Sequence, residues 1–185
     1  MMKLYFVGEN AKRLQARMSH PDMVYVPGEL RIQGCPFGIV GNGRSADGLK
    51  AISDNPGLVA LSSNAPEIDV KQKVLVGADS TGGNIFGMNE LYGMGMHEAA
   101  DSIMSTARNW DSVYISVSLS VLDAAFAPGV GVAGGLSPRQ LLYLLSRLKR
   151  LRNLKAFELV DYDHDKDFHD LGLNNAVKII QEFLH

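Results

Sequence analysis

Cysteine is almost absent from this sequence, which has one such residue, Cys35, in 185. A single cysteine excludes an intrachain disulfide and any zinc or iron–sulfur site that is built from several cysteines. We assign Cys35 a structural role, because no histidine that could serve as its base lies close to it in sequence. A chain with one thiol fits a reducing compartment, and we expect a cytoplasmic protein.

Long apolar runs and an excess of one charge are missing as well. No apolar run approaches the ~20 residues of a membrane-spanning helix, and the short apolar run at the N-terminus is no secretory signal. Lys and Arg number 18 against 20 Asp and Glu, which gives a net charge of −2. We therefore expect neither a membrane nor a nucleic-acid partner. The basic run Arg147–Arg152 favours the C-terminus of a helix, where cations stabilise the helix dipole.

Short apolar runs alternate with amphipathic stretches along the whole chain. With 46% hydrophobic and 21% charged residues, the composition is that of a globular protein, and the length fits one domain, 1–185. Alternating strands and helices predict a mainly parallel sheet between helical layers, an α/β fold of the three-layer α/β/α sandwich type. The predicted strands are Lys3–Val7, Met23–Val26, Phe37–Val40, Leu58–Leu61, Val74–Val76, Val113–Leu119 and Leu154–Val160.

Helices are predicted between these strands. Ser137-Pro138 is typical of a helix start, with Ser as N-cap and Pro at the first helical position. The glycine-rich stretch Gly77–Gly95 predicts a loop or a broken segment, and its methionines favour core packing or, second, a subunit interface. The predicted helices are Asn10–Met18, Ser45–Ser53, Glu90–Arg108, one from Ser137 to about Arg150, and Leu173–Leu184.

Ligands of parallel sheets lie outside the carboxyl ends of the strands. Gly41-Asn42-Gly43 follows a predicted strand and precedes a helix, so its backbone amides could approach a phosphate. A nucleotide site would also need an acidic residue at the end of the next strand, near Ser62, and none stands there. A tight turn without a ligand explains these glycines as well, and we prefer that interpretation.

The second half of the chain carries the most specific pattern. Ser116-Val117-Ser118-Leu119-Ser120 is followed, at close spacing, by an aspartate, an A-P-G-x-G run and a G-G-L-S run. This segment resembles the ureohydrolase signature (arginases, agmatinases and formiminoglutamases), S-F-D-x-D-x-x-D-P, then A-P-G-x-G and G-G-[LF]-[ST]. The residues kept are Ser116, Asp123, Ala127, Pro128, Gly129, Gly131, Gly134, Gly135, Leu136 and Ser137. The resemblance implies the arginase fold and an oligomer of identical subunits.

Looser matches extend the resemblance to Phe37–Asp165. The family's G-G-D-H-S corresponds to Gly41–Ser45, its D-A-H-x-D to Ser62–Pro66, and its D-[IL]-V-E-V-N-P to Glu158–His164. The family holds two manganese ions with two histidines and four aspartates. The six matching positions here carry Arg44, Ser62, Asn64, Pro66, Ser118 and Ser120, none of them a carboxylate or an imidazole.

These replacements predict that the metal site and the hydrolase chemistry are lost. Two divalent ions ~4 Å apart repel by ~16 kcal/mol at an effective dielectric of ~20, and only several carboxylates offset that repulsion. We therefore expect no metal, no cofactor and no catalytic residue of the family type. The leading interpretation is a shortened family member without the dimanganese site, a pseudoenzyme with a structural, regulatory or partner-subunit role.

Two alternatives stay open. One is a binding protein that uses the remnant cleft for a polar or anionic small molecule, and the other is a C–N hydrolase of the family with an unrecognised site. We hypothesise that Arg44 replaces the metals by pairing with an aspartate, Asp123 or Asp161. A remnant filled by hydrogen bonds is the simpler explanation of the same polar residues. The remnant-cleft residues are Arg44, Ser62, Asn64, Pro66, Ser118, Ser120, Asp123 and Asp161.

An acidic segment, Asp161–Asp170, contains five aspartates and two histidines in ten residues. Such side chains can bind a divalent ion. A solvated loop that joins a strand to the last helix explains the same composition, and we prefer that interpretation.

Overall fold

A computed structural model describes residues 2–27, 30–32, 36–41, 45–64, 68–78 and 84–185. Within these residues, eight strands form one sheet in the order β2-β1-β3-β8-β7-β4-β5-β6, and every neighbouring pair is parallel. The strands are β1 (Lys3–Val7), β2 (Met23–Val26), β3 (Phe37–Gly41), β4 (Gly57–Leu61), β5 (Gln72–Val76), β6 (Ile85–Phe86), β7 (Val113–Ser118) and β8 (Leu154–Val160).

The five helices follow the strands in the order expected for crossover connections. A short 3₁₀ turn, Leu119–Val121, continues directly from β7. The helices are α1 (Glu9–Ala16), α2 (Ser45–Ile52), α3 (Met88–Ala107), α4 (Pro138–Leu148) and α5 (Leu171–Leu184). In the described part of the chain, no helix has both the length and the apolar character needed to cross a membrane.

The sheet separates two cores of unequal size. Alternate residues of each strand point to opposite faces, so Leu4 and Phe6 belong to one core while Tyr5 and Val7 belong to the other. Helices α1, α3, α4 and α5 cover the first face, and α2 is the helix described on the second. The α/β prediction is confirmed, with a thick and a thin helical layer.

A buried carboxylate and the start of one helix show how polar groups are paired inside these layers. Glu158 on β8 is fully buried and accepts hydrogen bonds from Tyr114 Oη at 3.1 Å and from Ser116 Oγ at 2.6 Å. A buried carboxylate is tolerated only with such donors. At the start of α4, Ser137 Oγ accepts the N–H of Gln140 at 3.3 Å and Gln140 Oε1 accepts the N–H of Ser137 at 2.9 Å, the capping box that the sequence predicts in part.

The stretch 77–95 differs from its prediction. A two-residue strand, β6, pairs with β5, and α3 begins at Met88 instead of Glu90. Gly95 interrupts α3 with a φ of 81°, so the kink falls at the residue type that tolerates this conformation. The methionines Met88, Met94 and Met96 are partly buried and pack against the larger core.

The basic run at the end of α4 forms ion pairs with neighbouring helices. Lys149 Nζ lies 2.7 Å from Glu182 Oε1 on α5, and Arg147 binds Asp101 on α3. These two ion pairs thus connect the C-terminal end of α4 to α3 and α5.

Candidate functional site

The carboxyl ends of β3, β8, β7 and β4 lie side by side at one edge of the sheet. A cleft of about 560 Å³ opens over this edge. Three of the predicted cleft residues, Asn64, Ser120 and Asp161, lie in its wall. The described residues that line it are Asn10, Gly41, Asn64, Ser120, Val130, Asp161, Tyr162 and Asp163.

Hydrogen bonds join four of the predicted residues into one chain. Ser118 Oγ donates to Asp161 Oδ2, and the Oγ atoms of Ser118 and Ser120 are 2.6 Å apart. Ser62 Oγ lies 3.4 Å from Ser120 Oγ. The chain therefore links the ends of β8, β7 and β4. Ser118 and Ser120 are buried, whereas Ser62 is partly exposed.

Asp161 fixes the direction of every hydroxyl in this chain. An ionised carboxylate only accepts, and a serine hydroxyl has one proton to donate. Ser118 must give its proton to Asp161, so Ser120 donates to Ser118 and Ser62 donates to Ser120. All three hydroxyl protons are thus used inside the chain.

Backbone amides add to the same network. The N–H of Ser120 donates to Ser118 Oγ at 3.0 Å, the N–H of Ser63 to Ser120 Oγ at 3.3 Å, and the N–H of Asn64 to Ser62 Oγ at 3.2 Å. Both lone pairs of Ser118 and of Ser120 are occupied, since each also accepts a hydroxyl proton. These two buried serines have no capacity left for a ligand.

Asp161 occupies an unusual backbone conformation. Its φ of 63° lies in the left-handed region, which a residue with a side chain seldom adopts. The conformation turns the chain directly after β8 and costs on the order of 1 kcal/mol. Asp161 makes no ion pair with any described residue, whereas the neighbouring Asp163 is paired with Lys166 at 2.8 Å. The hydrogen bond from Lys166 holds the pKa of Asp163 below its usual value.

Asp123 lies in the loop after β7 and does not line the cleft. Its carboxylate accepts the N–H of Ala125 at 2.9 Å and the N–H of Gly134 at 2.8 Å, and these bonds lower its pKa. Asp123 therefore organises the loop that precedes α4. The A-P-G-x-G and G-G-L-S runs have the same role, since a Cβ on Gly135 would lie 2.5 Å from the carbonyl carbon of Leu122.

Three of the sequence predictions fall on residues outside the described part of the chain. These are Arg44 with its glycine turn, Pro66, and Cys35. The hypothesis that Arg44 pairs with Asp123 or Asp161 stays a prediction.

The acidic segment 161–170 mainly secures the start of α5. Asp167 accepts the N–H of Gly172 at 2.8 Å and the N–H of Leu173 at 2.9 Å, and Asp170 pairs with Arg17 at 2.7 Å. Burial, followed by the charges of Asp167 and Asp170, raises the pKa of Tyr162 to about 12.

The described donor set does not fit a pair of divalent ions. Asp161 is the one cleft carboxylate without an ion pair among the described residues, and hydroxyl and amide groups are weak ligands for such ions. No group of three or more His, Cys, Asp or Glu side chains within the described ranges is placed to hold a metal.

The sequence prediction missed Asn10, Tyr162 and Val130 in the cleft wall. Asn10 was detectable, because β1 ends at the same edge of the sheet and Asn10 follows three residues later. A separate cavity of about 500 Å³ lies beside the start of α3. Ser63 lines it, and its buried Oγ has no hydrogen-bond partner in the described structure.

Solved structures of similar fold are ureohydrolases. The proclavaminate amidino hydrolase of Streptomyces clavuligerus superimposes with a TM-score of 0.69 at 23% identity, covering 80% of this chain and 63% of that one. The arginase of Bacillus caldovelox gives a TM-score of 0.75 at 15% identity, covering 99% and 98%. At these identities the likeness shows the fold alone.

Sequence comparisons identify the family to which the chain belongs. The arginase of Bacillus subtilis is 27% identical over 140 residues, which are 69% of this chain and 47% of that protein. The agmatinase of the same organism is 37% identical over 75 residues, 39% of this chain and 26% of that protein. The chain thus spans less than half the length of these relatives. A family model described as the arginase family matches residues 59–185. The chain belongs to the arginase family.

Proposed function

We propose that this protein is an arginase-family member without the family's dimanganese centre, that it does not hydrolyse C–N bonds, and that its cleft binds a small polar molecule. The observation that carries the proposal is the hydrogen-bonded chain Ser62–Ser120–Ser118–Asp161. Three of its members match positions at which the family pattern has metal-binding aspartates.

The network satisfies itself without a cation. Each of the three hydroxyls donates once within the chain, and backbone amides supply further donors. A metal ion would have to displace these bonds and would receive neutral oxygen ligands in return. Without a bound metal, no water in the cleft is activated to a hydroxide at neutral pH.

The relatives bear the names arginase, agmatinase and formimidoylglutamase. These names suggest which substrates to assay. They do not establish that this chain has the same activities, because it spans less than half of those proteins. The cleft at the strand ends has a volume of about 560 Å³, which suits a small ligand.

The test combines metal content with hydrolysis. Protein purified without an affinity tag is dialysed against Mn²⁺, its metal content is measured by mass spectrometry, and release of urea from arginine and agmatine is assayed. The arginase of Bacillus subtilis, treated in parallel, is the control. We expect no stoichiometric manganese and no urea. About two tightly held manganese ions per chain together with urea release would overturn the proposal.

A variant with ligands of the family type tests why the wild type should not bind manganese. The combined substitutions Ser62→Asp, Asn64→His, Ser118→Asp and Ser120→Asp introduce four ligands of the family type at the matching positions. If the missing carboxylates and imidazole are the reason for weak binding, the variant takes up more Mn²⁺ than the wild type. Equal uptake by both proteins would contradict that reason.

A role as a subunit of an assembly is a second candidate. Tyr92 on α3 is 90% exposed and Phe168 is 63% exposed, so both aromatic side chains are available for contact with a second subunit. We propose a homo-oligomer in the cytoplasm. The single cysteine supports the location, and the exposed aromatics support the assembly. Light scattering after size exclusion measures the oligomeric state directly, and a monomer of about 20 kDa contradicts this candidate.

A further inference from the structure

We propose that the cleft takes the primary ammonium group of a small alkylamine, with the Asp161 carboxylate as its anchor. This inference rests on the proposed function, that the cleft binds a small polar molecule, and it specifies the chemical class of that molecule.

The first argument is the direction of the hydrogen bonds. Because Asp161 accepts the proton of Ser118, the hydroxyl protons of Ser118, Ser120 and Ser62 all point along the chain toward Asp161. An anionic ligand needs donors, and these hydroxyls offer it none. The network presents an acceptor to the cleft instead, the lone pairs of the Asp161 carboxylate that Ser118 does not occupy.

The second argument is charge. The described wall of the cleft contains two carboxylates, Asp161 and Asp163, and no Lys, Arg or His side chain. Lys166 neutralises Asp163 at 2.8 Å. Asp161 has no ion pair with a described residue, so a cationic ligand would supply its countercharge in place of the predicted pairing with Arg44. Asn10 and Asn64 lie in the same wall, where their amide oxygens can accept from an ammonium group and their NH₂ groups also provide donors.

The third argument distinguishes an ammonium from a guanidinium group. A guanidinium binds a carboxylate best through two parallel hydrogen bonds, one to each oxygen. Ser118 Oγ already donates to Oδ2 of Asp161, which leaves Oδ1 as the less engaged oxygen. An ammonium group donates one hydrogen bond to each of its acceptors, so a single oxygen of Asp161 is sufficient for it. Val130 provides an apolar contact for the alkyl part.

Three short-chain probes with different head groups test this inference on the full-length protein: butylammonium, butylguanidinium and butyrate. Binding is followed by chemical-shift changes in protein NMR spectra. We expect butylammonium to bind most tightly and butyrate not to bind. Asp161→Asn should weaken butylammonium binding by about tenfold or more, since a charged hydrogen bond is lost. Asp54→Asn, an exposed carboxylate outside the cleft, is the matched control and should change nothing.

Ser118→Ala provides a readout that does not depend on Asp161→Asn folding. Removal of the hydroxyl frees Oδ2, so butylguanidinium should gain relative to butylammonium and the ratio of their dissociation constants should shift toward guanidinium. An unchanged ratio contradicts the role of Ser118 in selecting the head group.

The outcomes separate the two proposals. Tighter binding of butyrate or butylguanidinium to the wild type, or no binding of any probe, overturns the ammonium inference. The metal-free, non-hydrolytic function survives either result, because metal content and urea release measure it. Manganese uptake with hydrolysis removes the proposed function, whatever the probes do.

Discussion

Ser118 and Asp161 stand 43 residues apart in the chain and are joined by a hydrogen bond between the ends of two adjacent strands. The register of β7 and β8 pairs Ser118 with Val160, so Asp161 is the first residue beyond the paired region. Its left-handed backbone conformation brings the carboxylate beside Ser118. A strained backbone at a strand end is typical of functional sites, and here the hydrogen bond from Ser118 helps to hold it.

Ser118→Ala should lower the free energy of unfolding by about 1–3 kcal/mol, because buried polar groups lose their partners. Asp161 loses a donor, and both the hydroxyl and the N–H of Ser120 lose an acceptor. Urea unfolding followed by circular dichroism measures the change. Ser105→Ala, at an exposed position of α3, is the control and should cause no loss. A Ser118→Ala protein as stable as the wild type contradicts a structural role for the chain of hydroxyls.

Gly135→Ala should also destabilise the protein, by about 1–3 kcal/mol or more. The new Cβ would lie 2.5 Å from the carbonyl carbon of Leu122 and 2.6 Å from the nitrogen of Asp123, and backbone atoms cannot rotate away as a side chain can. Gly93→Ala on α3 is the matched control, since nothing lies within 4 Å of its added Cβ. There alanine should add about 0.5–1 kcal/mol of stability through its helix propensity. Thermal unfolding of the two variants should therefore shift in opposite directions.

The sequence predicted the sheet well because its strands are short apolar runs with few competing interpretations. Val113–Leu119 was predicted as a strand, and β7 covers Val113–Ser118. Residues 77–95 were harder. Six glycines in this stretch weaken the local preference for helix or strand. The two residues of β6, Ile85 and Phe86, pair with β5, but two residues are too few to leave a periodic pattern in the sequence.

The candidate site was predictable to the extent that strand ends determine it. Ser62, Ser118, Ser120 and Asp161 lie at or just beyond the ends of neighbouring strands, and the structure brings them together. Asp123 shows the limit of prediction from the sequence, because its place in the family motif predicted that it would line the cleft. Its partners are backbone N–H groups of the loop 124–134, whose positions depend on a loop conformation that side-chain types do not encode.

Tyr162 should titrate later than an ordinary tyrosine. Burial, followed by the charges of Asp167 and Asp170, raises its pKa to about 12. In the unfolded chain a tyrosine ionises near pH ~10, whereas Tyr162 stays neutral in the folded protein up to its higher pKa. The folded state therefore loses stability as the pH rises from the unfolded pKa to the folded one. The tyrosinate absorbance of the six tyrosines should thus rise with a late component that Tyr162→Phe removes. If the variant retains that component, the group that titrates late is another tyrosine.

Asp123 should make the free energy of unfolding depend on pH in the acidic range. The N–H groups of Ala125 and Gly134 stabilise its carboxylate and lower its pKa in the folded state. A carboxyl group of lowered pKa adds stability above its unfolded pKa of ~4, and that stability is lost as the pH falls through the folded value. Asp123→Asn can accept through one oxygen only, so the variant should be less stable than the wild type at pH 7. The gap should narrow on acidification, because the wild type loses its carboxylate and the variant has none to lose. Urea unfolding over a series from neutral to acidic pH measures the gap, with Asp69→Asn, an exposed carboxyl on the β4–β5 connection, as the control. A gap that stays constant across the series would show that the two backbone bonds hold the loop equally well whether or not Asp123 is charged.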